Sequence, residues 1–148
     1  AQHEVASGQH PQAVADKVAR SVRASGERLP GFGHPVHRPV DPRAERILEL
    51  ADARAVSGPH VLLARSLRDA VATVWGKPLT MNVSMPIAAV MLDLGFSSSV
   101  VKAVPILART AGLLAHLAEE QEHPIGFALA ASAEEAVEYQ RDRDAREQ

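Results

Sequence analysis

Residues 29–43 read LPGFGHPVHRPVDPR and contain four prolines and two glycines. Proline lacks a backbone donor and glycine adopts backbone angles closed to other residues, so the stretch predicts a tight loop rather than a helix. Asp41 followed by Pro42 is typical of a helix start, with the carboxylate as the N-cap. The stretch therefore places two histidines and two arginines in a short loop that leads directly into a helix.

On either side of this loop, apolar residues recur at the spacing of amphipathic helices. Proline and glycine delimit the segments, which predicts helices over residues 11–25, from 42 onwards, over 59–75 and over 84–94. The expected buried stripes are Val14, Val18 and Val22 in the first helix, Ala44, Ile47, Leu48 and Ala51 in the second, and Leu62, Leu63, Leu67, Ala70, Val71 and Val74 in the third. No segment alternates like a strand for more than a few residues, so the predicted fold class is all-α.

The last third of the chain is apolar on nearly every side from residue 100 to residue 117. A helix of this kind is expected in the centre of a protein, and it also suits a dimer interface. Pro105 should bend this helix or remove one of its hydrogen bonds. A final helix is predicted over residues 132–146.

Composition excludes several classes of function. With 16 basic and 18 acidic residues, the chain has no basic excess for nucleic acid or an anionic membrane. The absence of cysteine excludes disulfides, thiol catalysis and cysteine metal sites. No apolar run approaches the roughly 18 residues of a membrane span, and no signal peptide is visible, so we expect a cytoplasmic protein.

The loop has the residue types of a ligand site. Gly31 and Gly33 let a ligand approach the main chain, although on their own the glycines favour a simple turn between two helices. His34 and His37 as a metal pair would need a third ligand, and the nearby Asp41 is already expected to cap a helix, so we predict no metal. The better interpretation is a histidine that hydrogen-bonds a substrate oxygen beside arginines that hold carboxylates or phosphates.

Arg109 lies in the apolar segment VPILARTAGLLAH, residues 104–116. Burying a lone guanidinium among apolar side chains is costly unless an anion meets it, which favours an anionic ligand. The alternative is that Arg109 reaches solvent or pairs with an acidic residue, for which the candidates are Glu119, Glu120 and Asp93.

Three blocks of the chain resemble the citrate synthase family. PGFGHPVHRPVDPRAERIL at residues 30–48 is similar to the family signature G-F-G-H-x-V-x-(K/R)-x-x-D-P-R. KPLTMNVSMPIAAVMLDLGF at 77–96 resembles its N-V-D segment and the following helix, and ILARTAGLLAHLAEEQ at 106–121 resembles its A-R-x-x-G-x-x-A-H-x-x-E-Q block. The segments GFGHPVH and AEEQEHPIG are more similar to the sequences of citryl-CoA lyase-type members. The resemblance implies an all-α homodimer, with residues 1–92 as the small domain and 93–148 as C-terminal helices of the large domain.

The resemblance also implies roles for individual residues. His34 would hold the carbonyl of oxaloacetate or the hydroxyl of a citryl group, while Arg43 and Arg109 would bind substrate carboxylates beside Asn82. Arg38 would meet a phosphate of coenzyme A. The backbone that would lie against the adenine is that of Leu29, Gly31, Phe32 and Gly33.

Two departures from the family pattern bear on function. Ser84 stands where the family has its catalytic aspartate, and a serine hydroxyl without an activating neighbour cannot replace a carboxylate base. The synthase route is therefore disfavoured, whereas cleavage needs first a base for the citryl hydroxyl, which His34 can supply. A second family histidine lies farther upstream than the 33 residues that precede His34. We therefore expect an excerpt or a reduced relative.

The leading hypothesis is cleavage or formation of citryl-CoA, or a close analogue, with acetyl-CoA and oxaloacetate as the partner compounds. His34 and Ser84 are the candidate catalytic residues, coenzyme A enters as a thioester substrate, and no metal is required. The alternative is a non-catalytic module that binds coenzyme A or a polycarboxylate, or that serves in assembly.

Overall fold

The computed structural model of the chain describes residues 10–137. Its helices are α1 Pro11–Ser25, α2 Pro42–Ala53, α3 Pro59–Trp75, α4 Ser84–Asp93, α5 Ser98–Val101, α6 Ala103–Glu122 and α7 Gly126–Ala136. Residues 10–137 contain no strand, and Phe32 and Met81 form an isolated antiparallel bridge. The predicted all-α fold class is therefore confirmed.

The N-terminal helices begin and end where proline and glycine predict. Helices α1, α2 and α3 each have proline in the first turn, and Asp41 caps α2 by accepting from the backbone N–H of Arg43. Gly26 and Gly76 end α1 and α3 in the left-handed conformation, at φ 72° and φ 65°. Proline and glycine in the local sequence therefore determine these helix boundaries.

Helix α3 forms the centre of the core because apolar residues cover more than one of its faces. One face packs on α1 and the other on α2 and α4, in two clusters of buried residues. The first consists of Val14, Ala15, Ala19, Leu63, Leu67 and Ala70, and the second of Leu48, Val61, Ala64, Met81 and Ala89. Alanine at the contacts lets the helices pack with few aromatic side chains.

The predicted stripe of α3 is wrong at one position. Leu62 is 53% exposed, whereas its neighbour Val61 is fully buried. At 100° per residue, Leu62 lies outside the arc that contains Val61, Leu63 and Leu67, so its hydrophobic character does not bring it to the core.

Helix α6 is not central in this single chain, so the prediction that it is buried is wrong. It has no buried residue, and Leu107, Leu114 and Leu117 are 74%, 65% and 64% exposed. Phe127 in α7 is likewise 96% exposed. Exposed apolar side chains of this kind are typical of surfaces that take part in contacts.

Pro105 interrupts the apolar segment rather than bending one continuous helix. The segment divides at Lys102 into α5 and α6, which leaves Pro105 in the first turn of α6. Proline cannot donate to the carbonyl four residues back, here that of Val101, and its ring clashes with that carbonyl. In a first turn the missing N–H has no partner to lose, so the restarted helix tolerates the ring.

The final helix begins six residues earlier than predicted, at Gly126 instead of residue 132. The carboxylate of Glu120 accepts from the backbone N–H groups of Ile125 and Gly126, at 3.1 and 2.9 Å, and so caps the new helix. The helix ends at Ala136, because Val137 is extended at φ −109° and ψ 112°. The rest of the predicted helix, residues 138–146, lies outside the described residues.

The chain divides into two compact units, Ala1–Ile106 and Leu107–Gln148. The first holds α1 to α5, and the second holds most of α6 and all of α7. The domain boundary predicted after residue 92 remains a prediction.

Length and composition alone would allow Ser98–Glu122 to cross a membrane, because an 18-residue window within it has a mean hydropathy of 1.4. The sequence analysis expected no such stretch. None of that window is buried in the structure. Arg109 near the middle of the segment would be costly in hydrocarbon.

Asp93, at the end of α4, holds the first turn of α3. Its carboxylate accepts from the backbone N–H groups of Gly58, His60 and Val61 at 2.8, 3.0 and 2.9 Å, and contacts His60 Nδ1 at 2.8 Å. The side chain is 1% exposed. Burial raises the pKa of Asp93, but these hydrogen bonds outweigh burial and the net pKa is lowered.

Replacing Asp93 with alanine should lower the free energy of unfolding by about 2 kcal/mol at pH 7, because it strips the cap and leaves helix N–H groups unpaired. The control is Asp69→Ala, which removes an exposed carboxylate from the same helix α3. Urea unfolding followed by circular dichroism measures both.

The effect of Asp93→Ala should also depend on pH. A lowered folded pKa means that the carboxylate stabilises fully above its unfolded pKa of about 4, and that this stabilisation is lost as the pH falls through the folded value. The difference between wild type and Asp93→Ala should therefore shrink in acid. A difference that stayed constant from pH 7 to pH 2 would contradict the assignment.

Candidate active site

Two loops that are distant in sequence lie side by side and form the candidate site. Around the bridge between Phe32 and Met81, the N–H of Gly33 donates to the carbonyl of Thr80 at 2.7 Å, and the N–H of Asn82 donates to the carbonyl of Gly31 at 2.9 Å. The side-chain amide of Asn82 also donates to the carbonyl of Gly33 at 3.1 Å. The predicted residues 31–34 and 82–84 therefore belong to one local structure.

The two glycines of the loop are required for different reasons. Gly31 has φ 82°, and a Cβ on it would lie 2.7 and 2.9 Å from side-chain atoms of Met85. Gly33 has φ 84° with nothing within 4 Å of an added Cβ. Gly31 is therefore needed for both its backbone angle and close packing, whereas Gly33 is needed for its angle alone and leaves open space beside the main chain.

The backbone that follows fixes the ring of His34. Its Nδ1 accepts from the N–H of Val36 at 3.1 Å and from the N–H of His37 at 2.9 Å. A nitrogen that accepts hydrogen bonds carries no proton, so the neutral imidazole has its proton on Nε2. The ring of His37 lies against that of His34, with the centroids 4.5 Å apart. His34 therefore presents Nε2–H as a donor.

Asp41 holds the guanidinium of Arg43. Arg43 Nε donates to Asp41 Oδ1 at 3.0 Å and Nη2 donates to Oδ2 at 2.9 Å. The side chain of Asp41 is 0% exposed and that of Arg43 is 47% exposed. Two of the five N–H donors of Arg43 thus point to a buried carboxylate, and its Nη1 end remains available to a ligand.

The hydrogen bond from Arg43 is the main reason that the pKa of Asp41 lies far below its usual range, and backbone donation from Arg43 and Val83 adds to it against the effect of burial. The hydrogen bond to Asp41 correspondingly raises the pKa of Arg43. Sequence reasoning identified Asp41 only as a helix cap. The available signal was the short Asp-Pro-Arg spacing, which lets an arginine at the third position fold back onto its own N-cap.

The proton-bearing Nε2 of His34 and the Nη2 of Arg43 lie 3.1 Å apart. Arginine is always a donor, so two donors meet at this point. An oxygen atom that accepted from both would resolve the contact between them. The arrangement therefore suits a carbonyl, hydroxyl or carboxylate oxygen that carries or develops negative charge.

Ser84 is the first residue of α4 and its side chain is exposed. Its backbone N–H donates to the side-chain oxygen of Asn82 at 3.1 Å. Within residues 10–137 no hydrogen bond reaches the hydroxyl of Ser84 from a histidine or carboxylate that would activate it. The serine can donate a hydrogen bond from the beginning of a helix, but it is not an activated base.

The residues predicted to meet coenzyme A differ in how far they are buried. Leu29 is buried, and Phe32 packs against both core clusters, so these side chains support the fold. Gly33 and Arg38 are exposed. Any contact of the loop with an adenine would therefore involve its backbone rather than the side chain of Leu29 or Phe32, and Arg38 is accessible to a phosphate.

Arg109 lies on α6, in the second unit, and its side chain is exposed. The three carboxylates considered as its partners are in other contacts. Asp93 caps α3, Glu120 caps α7, and Glu119 lies 3.5 Å from His116 Nδ1. No ion pair of Arg109 is seen within the described part of the chain, so its guanidinium is open to an anion.

Residues 10–137 contain no group of three or more histidine, aspartate or glutamate side chains placed to hold a metal ion. For His34, the backbone contacts at Nδ1 leave only Nε2 for any ligand.

The chain is similar to known proteins at the levels of family, sequence and structure. The family described as Citrate synthase, C-terminal domain, matches residues 2–126. The citrate synthase-like protein oryE of Aspergillus oryzae is 34% identical over 117 residues, which cover 75% of this chain and 26% of oryE. The structure of citryl-CoA lyase from Hydrogenobacter thermophilus matches 95% of this chain and 54% of the lyase chain, with a TM-score of 0.72 and 28% identity. This chain thus spans about half of the lyase chain and about a quarter of oryE.

Proposed function

The chain belongs to the citrate synthase family, and on this premise we propose that it cleaves or forms the C–C bond of a citryl-CoA-type thioester. The observation that carries the proposal is the pair of donors, His34 Nε2 and Arg43 Nη2, 3.1 Å apart. The compounds exchanged would be acetyl-CoA and oxaloacetate, or close analogues. The structural similarity to a citryl-CoA lyase supports the cleavage direction.

In cleavage, the hydroxyl on the central carbon of the citryl group gives up its proton and becomes the carbonyl oxygen of oxaloacetate. The bond to the thioester arm breaks, and its electron pair leaves as the enolate of acetyl-CoA, which then takes a proton at carbon. Synthesis follows the same path in reverse, with negative charge developing on the oxygen. A donor aimed at that oxygen stabilises the shared transition state in both directions.

We assign that donor to Nε2 of His34. Nε2–H hydrogen-bonds the keto oxygen in synthesis and the same oxygen in cleavage. Its proton stays on the ring, because Nδ1 accepts from two backbone N–H groups and the neutral ring carries no other proton. In cleavage the hydroxyl proton leaves to water, and in synthesis the new alkoxide takes its proton from water. His34 thus serves in both directions as the donor that stabilises negative charge on the reacting oxygen.

The open end of Arg43 would bind one carboxylate of the substrate. Arg109 as a second carboxylate-binding residue stays a prediction. Asn82 would hold the loop against the substrate site through its bond to Gly33. Arg38 and the backbone of residues 29–33 would face the coenzyme. An anionic substrate with several carboxylates fits this excess of cationic donors.

The exposed apolar side chains of α6 and α7 support a homodimer as the assembled state, because a lone chain leaves them in water. A cytoplasmic location is part of the same proposal.

A non-catalytic binding module is the second candidate, and Ser84 is the observation that favours it. The position of the family aspartate holds an exposed hydroxyl, while the ligand-binding arginines are present. Such a chain would keep affinity for polycarboxylates and lose the step that needs a carboxylate base.

The deciding experiment supplies the full chain with citryl-CoA and follows oxaloacetate through NADH-linked reduction and acetyl-CoA by chromatography. Equal amounts of the two products, formed faster than by Arg43→Ala, are expected. Binding of citrate without turnover would establish the binding module instead. Absence of both binding and turnover would reject both candidates.

A further inference from the structure

We propose that Asp41 is a positioning residue, which decides the edge of Arg43 that the substrate meets and ties that guanidinium to the Asn82–Ser84 segment. The inference deepens the proposed function and rests on it only for the nature of the ligand. Asp41 touches no substrate in this proposal and acts through its neighbours.

The carboxylate of Asp41 is shared between two parts of the chain. Oδ1 accepts from the backbone N–H and the Nε of Arg43, at 3.1 and 3.0 Å. Oδ2 accepts from Arg43 Nη2 at 2.9 Å and from the N–H of Val83 at 3.1 Å, 42 residues away in sequence. Val83 lies between Asn82 and Ser84, so a single side chain fixes the guanidinium relative to both.

This sharing determines how Arg43 can bind a ligand. Asp41 occupies the side of the guanidinium formed by Nε and Nη2, so an incoming carboxylate must approach the end formed by Nη1 and Nη2. Nη2 is also the atom next to His34 Nε2. A carboxylate on that end therefore brings the substrate beside the imidazole, which couples substrate binding to the position of the reacting oxygen.

The burial of Asp41 stabilises its pairing with Arg43. Asp41 is fully buried, and removing its partner would leave an uncompensated charge away from water. Arg43 therefore stays on Asp41 without a ligand, and binding does not have to order its long side chain. The low pKa of Asp41 agrees with a carboxylate that stays ionised across the working pH range.

The first test needs no variant. In the full chain, the Nε–H of Arg43 should exchange with water about tenfold more slowly or more than that of Arg46, whose pair with Glu49 is exposed. Proton–nitrogen NMR measures both. Equal exchange rates for Arg43 and Arg46 would overturn the proposal, whatever the chain does with citryl-CoA.

The second test is Asp41→Asn, which keeps the size and capping ability of the side chain but replaces one accepting oxygen with a donor amide. We expect the slow Arg43 Nε–H exchange to be lost and the affinity for citrate, measured by calorimetry, to fall about tenfold, equal to about 1.4 kcal/mol. Affinity for coenzyme A should stay within about twofold.

The matched control is Asp52→Asn, which breaks an aspartate–arginine pair with Arg65 between α2 and α3, outside the site. It should leave citrate affinity and the Arg43 signal unchanged. An Asp41→Asn protein that folds and keeps both would overturn the proposal. If Asp41→Asn does not fold, the exchange comparison in the wild-type chain decides it. If wild type binds no citrate, the proposed function fails and the exchange rates still decide the role of Asp41.

Discussion

Replacing His34 with alanine should lower the turnover of citryl-CoA by about 10²- to 10⁴-fold while leaving the affinity for coenzyme A within about twofold. The imidazole is the group that presents a proton to the reacting oxygen, and alanine removes both that proton and the acceptor for two backbone N–H groups. The coenzyme would meet other residues, so its binding should survive.

The control for the His34 prediction is His116→Ala. His116 is exposed on α6 and contacts Glu119 at 3.5 Å, and it has no role in the proposed reaction. Its removal should change turnover by less than about twofold. A His34→Ala protein with wild-type turnover would remove His34 from the mechanism, whereas joint loss of turnover and coenzyme affinity would indicate a collapsed loop instead of a missing donor.

Thermal unfolding separates these outcomes. Loss of Nδ1 leaves the N–H groups of Val36 and His37 without their partner, but the loop is partly exposed and water can replace it. The structural cost should therefore be about 1 kcal/mol, well below the loss of transition-state stabilisation. A small change in stability beside a large change in turnover identifies His34 as a reacting group.

The local parts of the fold were predictable because their causes are local. Proline and glycine delimit α1 and α3, and Asp41 caps α2 through atoms two residues away. The same reasoning predicted left-handed glycines in the loop, and Gly31 and Gly33 adopt positive φ. Each of these features depends on a few consecutive residues, and a single sequence contains all of them.

Features that join distant segments were not predictable in this way. The hydrogen bond of Asp41 to the N–H of Val83 joins residues that are 42 positions apart. The cap that Asp93 places on α3 joins residues up to 35 positions apart. A carboxylate in the sequence does not reveal which distant N–H groups it meets. Aspartate as the cap of its own helix was foreseen, and aspartate as the link between two loops was not.

The burial predicted for the apolar segment of residues 100–117 is wrong for a related reason. An apolar helix predicts that something covers it, but composition does not say whether the cover comes from the same chain. In α6 the apolar side chains are exposed, and Pro105 lies in a first turn because the helix restarts at Ala103. The prediction of a buried helix is wrong for this chain, and the prediction of a dimer interface stays a prediction.

Replacing Ser84 with aspartate should raise the rate at which the chain removes a proton from the methyl group of acetyl-CoA by about 100-fold. The carboxylate would stand where the family has its catalytic base, at the first residue of α4 and two residues after the bond between Asn82 and Gly33. The helix beginning favours the ionised form of a carboxylate, which keeps it ready to accept a proton at pH 7.

Exchange of the acetyl-CoA methyl protons with D₂O, followed by NMR in the presence of oxaloacetate, measures this step without requiring C–C bond formation. Ser84→Asn is the first control, because it has nearly the shape of aspartate and no basic oxygen. Ser99→Asp is the second, because it adds the same charge near the beginning of the exposed helix α5. Neither should accelerate exchange.

Stability should respond to Ser84→Asp independently of the chemistry. A carboxylate in the first turn of α4 interacts favourably with the helix dipole and should stabilise the chain by about 0.5 kcal/mol. A chain that gains this stability without faster exchange would have the aspartate correctly folded but out of reach of the thioester. That result would reject the hypothesis that Ser84 limits the synthase reaction. Faster exchange in Ser84→Asp and in neither control would establish that hypothesis, because the two controls separate the effect of a basic oxygen from the effects of shape and charge.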